Sequence, residues 1–129
     1  MSTIPKHLRY SPEHQWAQLS EDDHVLVGIT DHAQEALGDV VFIDLPPPGR
    51  EVRAGKPMFT IESVKAASDV YAPISGVIKE VNPDLKESPE EVNAKPYDTW
   101  LVKITPQTPT DFEKLLKPEE YASIIGTSN

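Results

Sequence analysis

Thirteen prolines divide this chain into short segments and constrain its fold more than any other feature. Proline lacks the backbone N–H that inner strands and helix interiors need, so it stands between such elements or at their ends. Short apolar runs fill the intervals up to about residue 105, and turn residues recur roughly every eight to twelve positions. The pattern predicts a mainly β protein, a small sandwich or barrel of short strands capped by peripheral helices.

The predicted strands are alternating or β-branched runs bounded by turn residues. They cover residues 14–20, 25–30, 39–45, 57–63, 69–72, 77–82 and 99–105. Glu21, Asp22 and Asp23 separate the first two, which predicts a hairpin. Residues 83–96 are a polar, proline-containing stretch to which no element is assigned. Because large aromatic side chains on strands usually pack inward, four of them are assigned to the core: Trp16, Phe42, Phe59 and Trp100.

Two regions carry helical signals instead. Residues 31–37 (DHAQEAL) predict a short helix with Thr30 as N-cap and Gly38 as stop. In the tail, apolar residues recur at i, i+3, i+4 spacing, which predicts two short amphipathic helices around Pro118. A length of 129 residues suits one domain, so we expect residues 1–129 to form a single domain with a helical C-terminal extension at about residues 108–125.

The charge balance narrows the classes of partner. With 12 basic and 21 acidic residues the formal net charge is −9, and such a surface repels nucleic-acid backbones and anionic lipid. We therefore expect neither nucleic acid nor a membrane as a partner, but basic patches on other proteins. The chain contains neither an apolar leader segment nor a run of membrane-spanning length. A cytoplasmic location is expected, although a processed mitochondrial protein would look the same.

Residue patterns for catalysis and metal binding are missing from the sequence. The chain has no cysteine, which excludes disulfides, thiolate metal sites and a cysteine nucleophile. Its histidines show no HxH or HExxH spacing; His14 and His24 are expected to approach across the first hairpin, but two ligands do not make a metal site. Gly28 stands alone in a strand rather than in a phosphate-binding loop. We therefore predict no catalytic residues, no metal site and no enzymatic activity.

Lys65 is the residue best placed for chemistry. It lies in ESVKAASD, between two predicted strands, so a hairpin tip would expose its flexible stem and acylable amine. Small neighbours leave that tip open to a modifying enzyme. Val64 is a bulky apolar residue beside the tip, either a docking contact or a side chain that tucks inward. From these residues alone an ordinary solvated lysine is the commoner interpretation.

The motif around Lys65 resembles the H protein of the glycine cleavage system, and the likeness extends over about residues 8–125. The matching blocks, all in the family's order, are 8–16 (LRYSPEHQW), 27–41 (VGITDHAQEALGDVV), 44–49 (DLPPPG), 62–69 (ESVKAASD), 71–76 (YAPISG), 81–85 (VNPDL), 89–93 (PEEVN) and 96–100 (PYDTW). Each block is weak alone, but their shared order is highly specific.

This resemblance implies a fold, a cofactor and a site. The fold is a lipoyl-type barrel-sandwich hybrid of two antiparallel sheets with short flanking helices. Lipoic acid is joined by an amide to the lysine that corresponds to Lys65. Glu62, Ser63, Val64 and Ala66 form the recognition context around that lysine. The resemblance also implies a monomeric carrier whose loaded arm folds back into a cleft on its own surface.

It implies partners as well. A lipoate-attaching enzyme modifies the lysine, and a pyridoxal-phosphate glycine decarboxylase loads the arm with an aminomethyl group. A tetrahydrofolate-dependent aminomethyltransferase unloads it, and dihydrolipoamide dehydrogenase reoxidises the dithiol. The alternative is an H-like module, lipoylated or only acylated, that serves lipoate relay or regulation.

Three departures from the family pattern stand out. Gln15 replaces a glutamate, residues 47–48 are both proline in a turn that usually contains glutamate, and the loop before Trp100 lacks a glycine. The first puts any role for that carboxylate in doubt. Other families of the same fold match less well. Biotin carriers show Met-Lys-Met at the tip, where this chain has Val64-Lys65-Ala66. Lipoyl domains of 2-oxoacid dehydrogenases commonly show Asp-Lys-Ala and lack the helical tail.

Overall fold

The computed structural model describes residues 4–20 and 22–126. Within these ranges its strands are β1 (Arg9–Tyr10), β2 (Gln15–Leu19), β3 (Val25–Ile29), β4 (Val40–Asp44), β5 (Glu51–Val52), β6 (Pro57–Ser63), β7 (Ala67–Tyr71), β8 (Gly76–Val81) and β9 (Val102–Pro106). The α-helices are α1 (Asp31–Leu37), α2 (Glu91–Ala94) and α3 (Pro118–Ile125), and short 3-10 helices cover Pro83–Lys86 and Pro109–Lys114. No helix in the described ranges is long and apolar enough to span a membrane.

The strands form two antiparallel sheets. The larger has the order β1-β2-β3-β9-β8-β5 and the smaller has the order β4-β6-β7. Strand β9 buries Val102 and Ile104 and leaves the residues between and after them more exposed, as expected when one face of a sheet lies on a core. The prediction of a mainly β fold with two antiparallel sheets and short helices is confirmed.

The buried side chains form two clusters. The main core lies between the sheets and draws on both of them, with Val27, Ile43, Ile61, Val70, Ile78, Val102 and Ile104 among its members. We call the second the tyrosine cluster; it comprises Ile4, Leu8, Tyr10, Trp16, Tyr121 and Ala122. It joins α3 to β1 and β2, and the rings of Tyr10 and Tyr121 stack with centroids 4.8 Å apart. The C-terminal helix is therefore anchored by aromatic packing.

Trp16 explains the glycine at position 28. The two residues are cross-strand partners in the β2–β3 pair, and a Cβ on Gly28 would lie 2.4 Å from the indole ring. The indole N–H donates to the Pro96 carbonyl at 2.8 Å. Gly28 is thus required by close packing, in keeping with the role glycine commonly has inside strands.

Helix α1 begins and ends as the sequence predicts. Thr30 caps it by accepting a hydrogen bond from the Ala33 N–H at 3.2 Å, and Gly38 follows its last residue with φ +81°. The unexpected contact comes from α2. Asn93 donates to the Gly38 carbonyl at 2.8 Å and accepts from the Val40 N–H at 2.9 Å, so its side chain fixes the turn between α1 and β4.

Some predicted elements differ in their bounds. The seventh predicted strand starts three residues late, at Val102, because side chains engage the preceding backbone: Asn82 donates to the Trp100 carbonyl at 2.8 Å. Strand β7 starts at Ala67 rather than residue 69, which brings it up to the tip. The first tail helix is a 3-10 helix, and Pro118 opens the second as its first residue. The short strands β1 and β5, helix α2 and the 3-10 helix Pro83–Lys86 were not predicted.

One core assignment is wrong. Phe42 is 50% exposed because a bulge in β4 between Val40 and Phe42 turns two successive side chains outward. Trp16 and Phe59 are buried as predicted, whereas Trp100 is half-buried against the tyrosine cluster.

The first hairpin forms, but it does not bring His14 and His24 together. In its register Gln15 pairs with Ile29 and Leu19 with Val25, so the two histidines flank opposite ends. Asp23 occupies the turn with φ +63°, and Glu21 lies outside the described residues. The expected approach of His14 to His24 is therefore wrong.

Candidate functional site

Lys65 lies on a tight turn between β6 and β7. The two strands stay paired up to Glu62 and Ala67, and the Ser63 N–H donates to the Ala66 carbonyl at 2.9 Å. The Ser63 hydroxyl accepts from the N–H groups of Lys65 and Ala66 at 3.2 and 3.3 Å. Ser63, predicted as a small neighbour of Lys65 and as part of its recognition context, therefore also organises the turn, in the way serine commonly caps turns.

A second set of contacts ties this tip to the end of α1. The Val64 N–H donates to the Asp39 carbonyl at 3.0 Å. The lysine stem lies along Gly38, where an added Cβ would be 3.2 Å from Cε and 3.6 Å from Nζ. Lys65 is exposed, but its side chain rests beside α1 rather than projecting straight into water. The tip is fixed at both ends of the turn.

The residues around Lys65 present a mixed surface. Val64 is 66% exposed, so of the two alternatives for this side chain the inward orientation is wrong. Glu62 is exposed and pairs across β6 with Phe42 on one side and Ala67 on the other. The exposed apolar side chains of Val41, Phe42 and Val64 thus belong to adjoining backbone segments beside an acidic residue.

A cleft of about 190 Å³ opens between α1, β7 and the start of β2. Its lining residues are Glu13, His14, Gln15, Ile29, Ala33, Ala36, Leu37, Ile61, Ser68, Asp69 and Val70. β7, which contributes Ser68, Asp69 and Val70 to the lining, begins two residues after Lys65. The lining combines apolar residues with two exposed acidic residues, Glu13 and Asp69. The Thr60 hydroxyl donates to the Asp69 carboxylate at 3.4 Å.

Gln15 occupies this cleft without bringing a charge. It is 3% exposed, its Oε1 accepts from the Ser11 hydroxyl at 2.5 Å and its Nε2 donates to the Glu13 carbonyl at 2.8 Å. These bonds satisfy the amide as buried polar groups require. Gln15 therefore holds the loop that carries Glu13.

His14 forms the neighbouring part of the wall. It is a non-glycine residue with φ +73°, at the end of a turn in which its N–H donates to the Ser11 carbonyl at 3.1 Å. Its Nδ1 lies 2.7 Å from the Tyr121 hydroxyl, and its ring centroid is 4.5 Å from that of His32. Burial, and secondarily the proximity of His32, lower the pKa of His14 below its ordinary value. The imidazole is thus held largely neutral.

The fold brings together residues that no single motif contains. Lys65 and its turn were found from the local sequence, whereas the cleft draws on β2, β3, α1, β6 and β7 at once. The signal that could have found Glu13 and His14 was their place in the block 8–16. Across the described ranges, no three His, Cys, Asp or Glu side chains are grouped so as to hold a metal ion.

Comparison with known proteins gives consistent results. The family model described as glycine cleavage H-protein matches residues 8–128. The chain is 49% identical over 126 residues to glycine cleavage system H protein 2 of Pseudomonas putida, covering 98% of this chain and 99% of that one. It is 54% identical over 123 residues to the glycine cleavage system H protein of Rubrobacter xylanophilus, covering 95% and 94%.

A solved structure is similar as well. The crystal structure of a glycine cleavage system H protein from Mycobacterium marinum superposes with a TM-score of 0.86 at 39% identity, covering 95% of this chain and 99% of that one. The match extends over both sheets and the flanking helices. It confirms the predicted fold class, a barrel-sandwich hybrid.

Proposed function

Because the chain belongs to the glycine cleavage H-protein family, we propose that Lys65 is the attachment point of a lipoyl group, joined to Nζ by an amide bond. The modified side chain serves glycine cleavage as a carrier, which takes the aminomethyl group of glycine from the decarboxylase to the aminomethyltransferase. The observation that carries this proposal is the rigid, exposed turn that displays Lys65 next to a cleft on its own chain.

The turn that carries Lys65 is suited to the attachment of a long group to the lysine amine. Lys65 is exposed, and among the described residues its amine makes no ion pair that would compete with acylation. Ala66 and Ala67 keep the far side of the turn small, and Gly38 leaves room for the stem. Ser63 holds the turn rigid, so a modifying enzyme meets one conformation and loses little entropy on binding. Glu62 and Val64 are exposed at the same tip and available as recognition contacts.

The lipoyl group would supply a redox-active pair of sulfur atoms, which the cysteine-free chain lacks. The chain's own contribution is display and shelter. Ala33, Ala36 and Leu37 of α1 are at least partly exposed in the cleft and offer an apolar surface for a hydrocarbon arm. Glu13 and Asp69 are also lining residues, and their negative charge near the cleft would attract an amine cargo that is cationic at neutral pH. We propose that this cleft receives the loaded arm and limits the access of water.

The partners follow from the same proposal. The lipoate-attaching enzyme and the three enzymes of the cycle, including dihydrolipoamide dehydrogenase, meet Lys65 in turn, and the chain itself has no catalytic role. A tethered cargo raises its effective concentration at each docked active site. The net charge of −9 suits partners with basic docking surfaces. We place the chain in the cytoplasm as a monomer that forms one domain over residues 1–129.

Co-expression with a lipoate-attaching enzyme tests the attachment site. Intact mass should rise by one lipoyl group, and peptide mapping should place it on Lys65. Lys65→Arg keeps the charge and should abolish the mass increase together with support of glycine cleavage. Lys56→Arg is the matched control, since Lys56 is an exposed lysine in the turn before β6, and it should behave as wild type. Full modification of Lys65→Arg would refute the proposal.

A further inference from the structure

The Tyr121 hydroxyl, inside the tyrosine cluster, connects two walls of the cleft beside Lys65. The Tyr121 side chain is 0% exposed, and its oxygen lies 2.7 Å from His14 Nδ1 and 2.8 Å from Thr30 Oγ1. His14 lines the cleft, while Thr30 caps α1, the helix that forms the opposite side. The C-terminal helix α3 thereby reaches both walls through a single atom.

The direction of these hydrogen bonds can be assigned. Burial raises the pKa of Tyr121 to about 12, so the phenol keeps its hydrogen. Thr30 Oγ1 already accepts from the Ala33 N–H at 3.2 Å, and its own hydrogen is available to the Tyr121 oxygen. An imidazole nitrogen accepts more strongly than an alcohol, so Tyr121 donates to His14 Nδ1. The hydrogen of the neutral ring then lies on Nε2.

The bond between Tyr121 and His14 also helps to hold the backbone conformation of His14, whose φ is +73°. A left-handed conformation is disfavoured for residues that carry a Cβ. The surrounding contacts must therefore hold it: the Tyr121 bond, the His32 ring, and the Thr30 N–H, which donates to the His14 carbonyl at 3.1 Å. Removing the hydroxyl takes away one of these contacts and leaves the ring without a donor at Nδ1.

We propose that Tyr121 is a positioning residue for the cleft: its hydroxyl fixes His14 as the neutral Nε2–H tautomer in the cleft wall. A protonated His14 would place a cation beside Glu13 and repel a cationic amine. With His14 neutral, its ring adds no positive charge to the cleft wall, where Glu13 and Asp69 are the acidic lining residues. The titratable groups that face the His14 ring are His32 from α1 and Tyr121 from α3, with Glu13 beside it on the same loop. The tautomer does not depend on the proposed function, but its effect on the cargo does.

The tautomer can be measured on the unmodified chain. Nitrogen-15 NMR of the histidine rings should show His14 as Nε2–H with an unprotonated, hydrogen-bonded Nδ1. In Tyr121→Phe both tautomers should appear, and the protonated fraction at neutral pH should rise. Tyr10→Phe is the matched control, because that ring stacks on Tyr121 and its hydroxyl donates instead to the Pro5 carbonyl at 2.6 Å. A wild-type Nδ1–H tautomer, or a Tyr121→Phe spectrum like wild type, would overturn the assignment without need of any activity.

The effect on the cargo is measured on the lipoylated chain, loaded by the decarboxylase with glycine labelled at its methylene carbon. Loss of label as formaldehyde should be several-fold faster in Tyr121→Phe than in Tyr10→Phe and wild type. Equal rates, with the tautomer lost as expected, would overturn the role in holding cargo. Intact mass is recorded first, so an unlipoylated chain would instead count against the proposed function.

Discussion

The tip that carries Lys65 and the tyrosine cluster are stabilised by different means. The tip is exposed, and backbone N–H groups that donate to the Ser63 hydroxyl and the Asp39 carbonyl fix it with little apolar burial. The tyrosine cluster is almost fully buried and joins α3 to the larger sheet through stacked rings and close packing. Substitutions at the tip should therefore alter modification and leave stability nearly intact, whereas those in the cluster should alter stability first.

The largest expected effect is that of Trp16→Ala. Truncating a buried tryptophan should lower the free energy of unfolding by about 3–5 kcal/mol. The indole also contacts Gly28 and donates to the Pro96 carbonyl, which would lose its partner. Denaturant unfolding measures the change, and Lys65→Ala is the control at the tip, expected within about 0.5 kcal/mol of wild type. Similar losses of stability for both variants would contradict the difference between the tip and the tyrosine cluster.

Gly38→Ala should give the next largest effect. With φ +81° and ψ −160°, Gly38 lies in a backbone region essentially restricted to glycine, which costs alanine about 1–3 kcal/mol, and the new methyl would crowd the Lys65 stem at 3.2 Å from Cε. We expect a modest loss of stability together with a changed rate of lipoylation, read from the same preparation. Gly55→Ala, at φ +79° with open space around it, is the control that carries the backbone strain alone. Equal lipoylation rates in both variants would show that the contact with Lys65 has no influence.

Ser63→Ala tests the turn itself. Losing a half-buried side chain that accepts two backbone hydrogen bonds should change global stability by about 0.5 kcal/mol or less, because the β6–β7 pairing remains. Lipoylation should slow, since Lys65 would then sample several conformations before docking. Hydrogen exchange at the Lys65 and Ala66 amides should rise while that of the β6 core stays unchanged. Unchanged exchange at the tip would assign the rigidity of the turn to other contacts.

The smallest expected effect is on the pH dependence of the stability, and it depends on His14. The pKa of His14 is lowered in the folded chain by burial and by His32, so below the ordinary value of 6.5 the unfolded chain binds more protons. The stabilising contribution is complete above that value and is lost as pH falls through the folded pKa. His14→Gln should flatten the fall in stability between pH 6.5 and more acidic conditions. Parallel stability curves for variant and wild type would contradict a buried, neutral His14.

Local sequence was enough for the elements that short-range chemistry fixes. Strand β6, helix α1 with its Thr30 cap, and a tail helix next to Pro118 lie where predicted. The errors arose where distant residues decide. Phe42 points outward because of a bulge against β6, and the turn after α1 depends on Asn93, more than fifty positions away. The Tyr121 bond to His14 spans 107 positions, so no window of sequence contains it.

The cleft shows the same limit. The hydrophobic pattern of the sequence marks the apolar residues of the cleft only as core residues. Glu13 and Asp69 look like ordinary surface residues, and only the fold brings them to the cleft. The exchange of glutamate for Gln15 was visible in sequence, but its consequence was not. In the structure the Gln15 side chain is a buried amide that holds the Glu13 loop.

Peptide mapping after co-expression with a lipoate-attaching enzyme tests the central claim most directly. The claim predicts one lipoyl group per chain, located on Lys65, with Lys65→Arg unmodified and Lys56→Arg modified as fully as wild type. An unmodified Lys65, under conditions that lipoylate a known carrier to completion, would contradict it, as would a lipoyl group located on any other lysine.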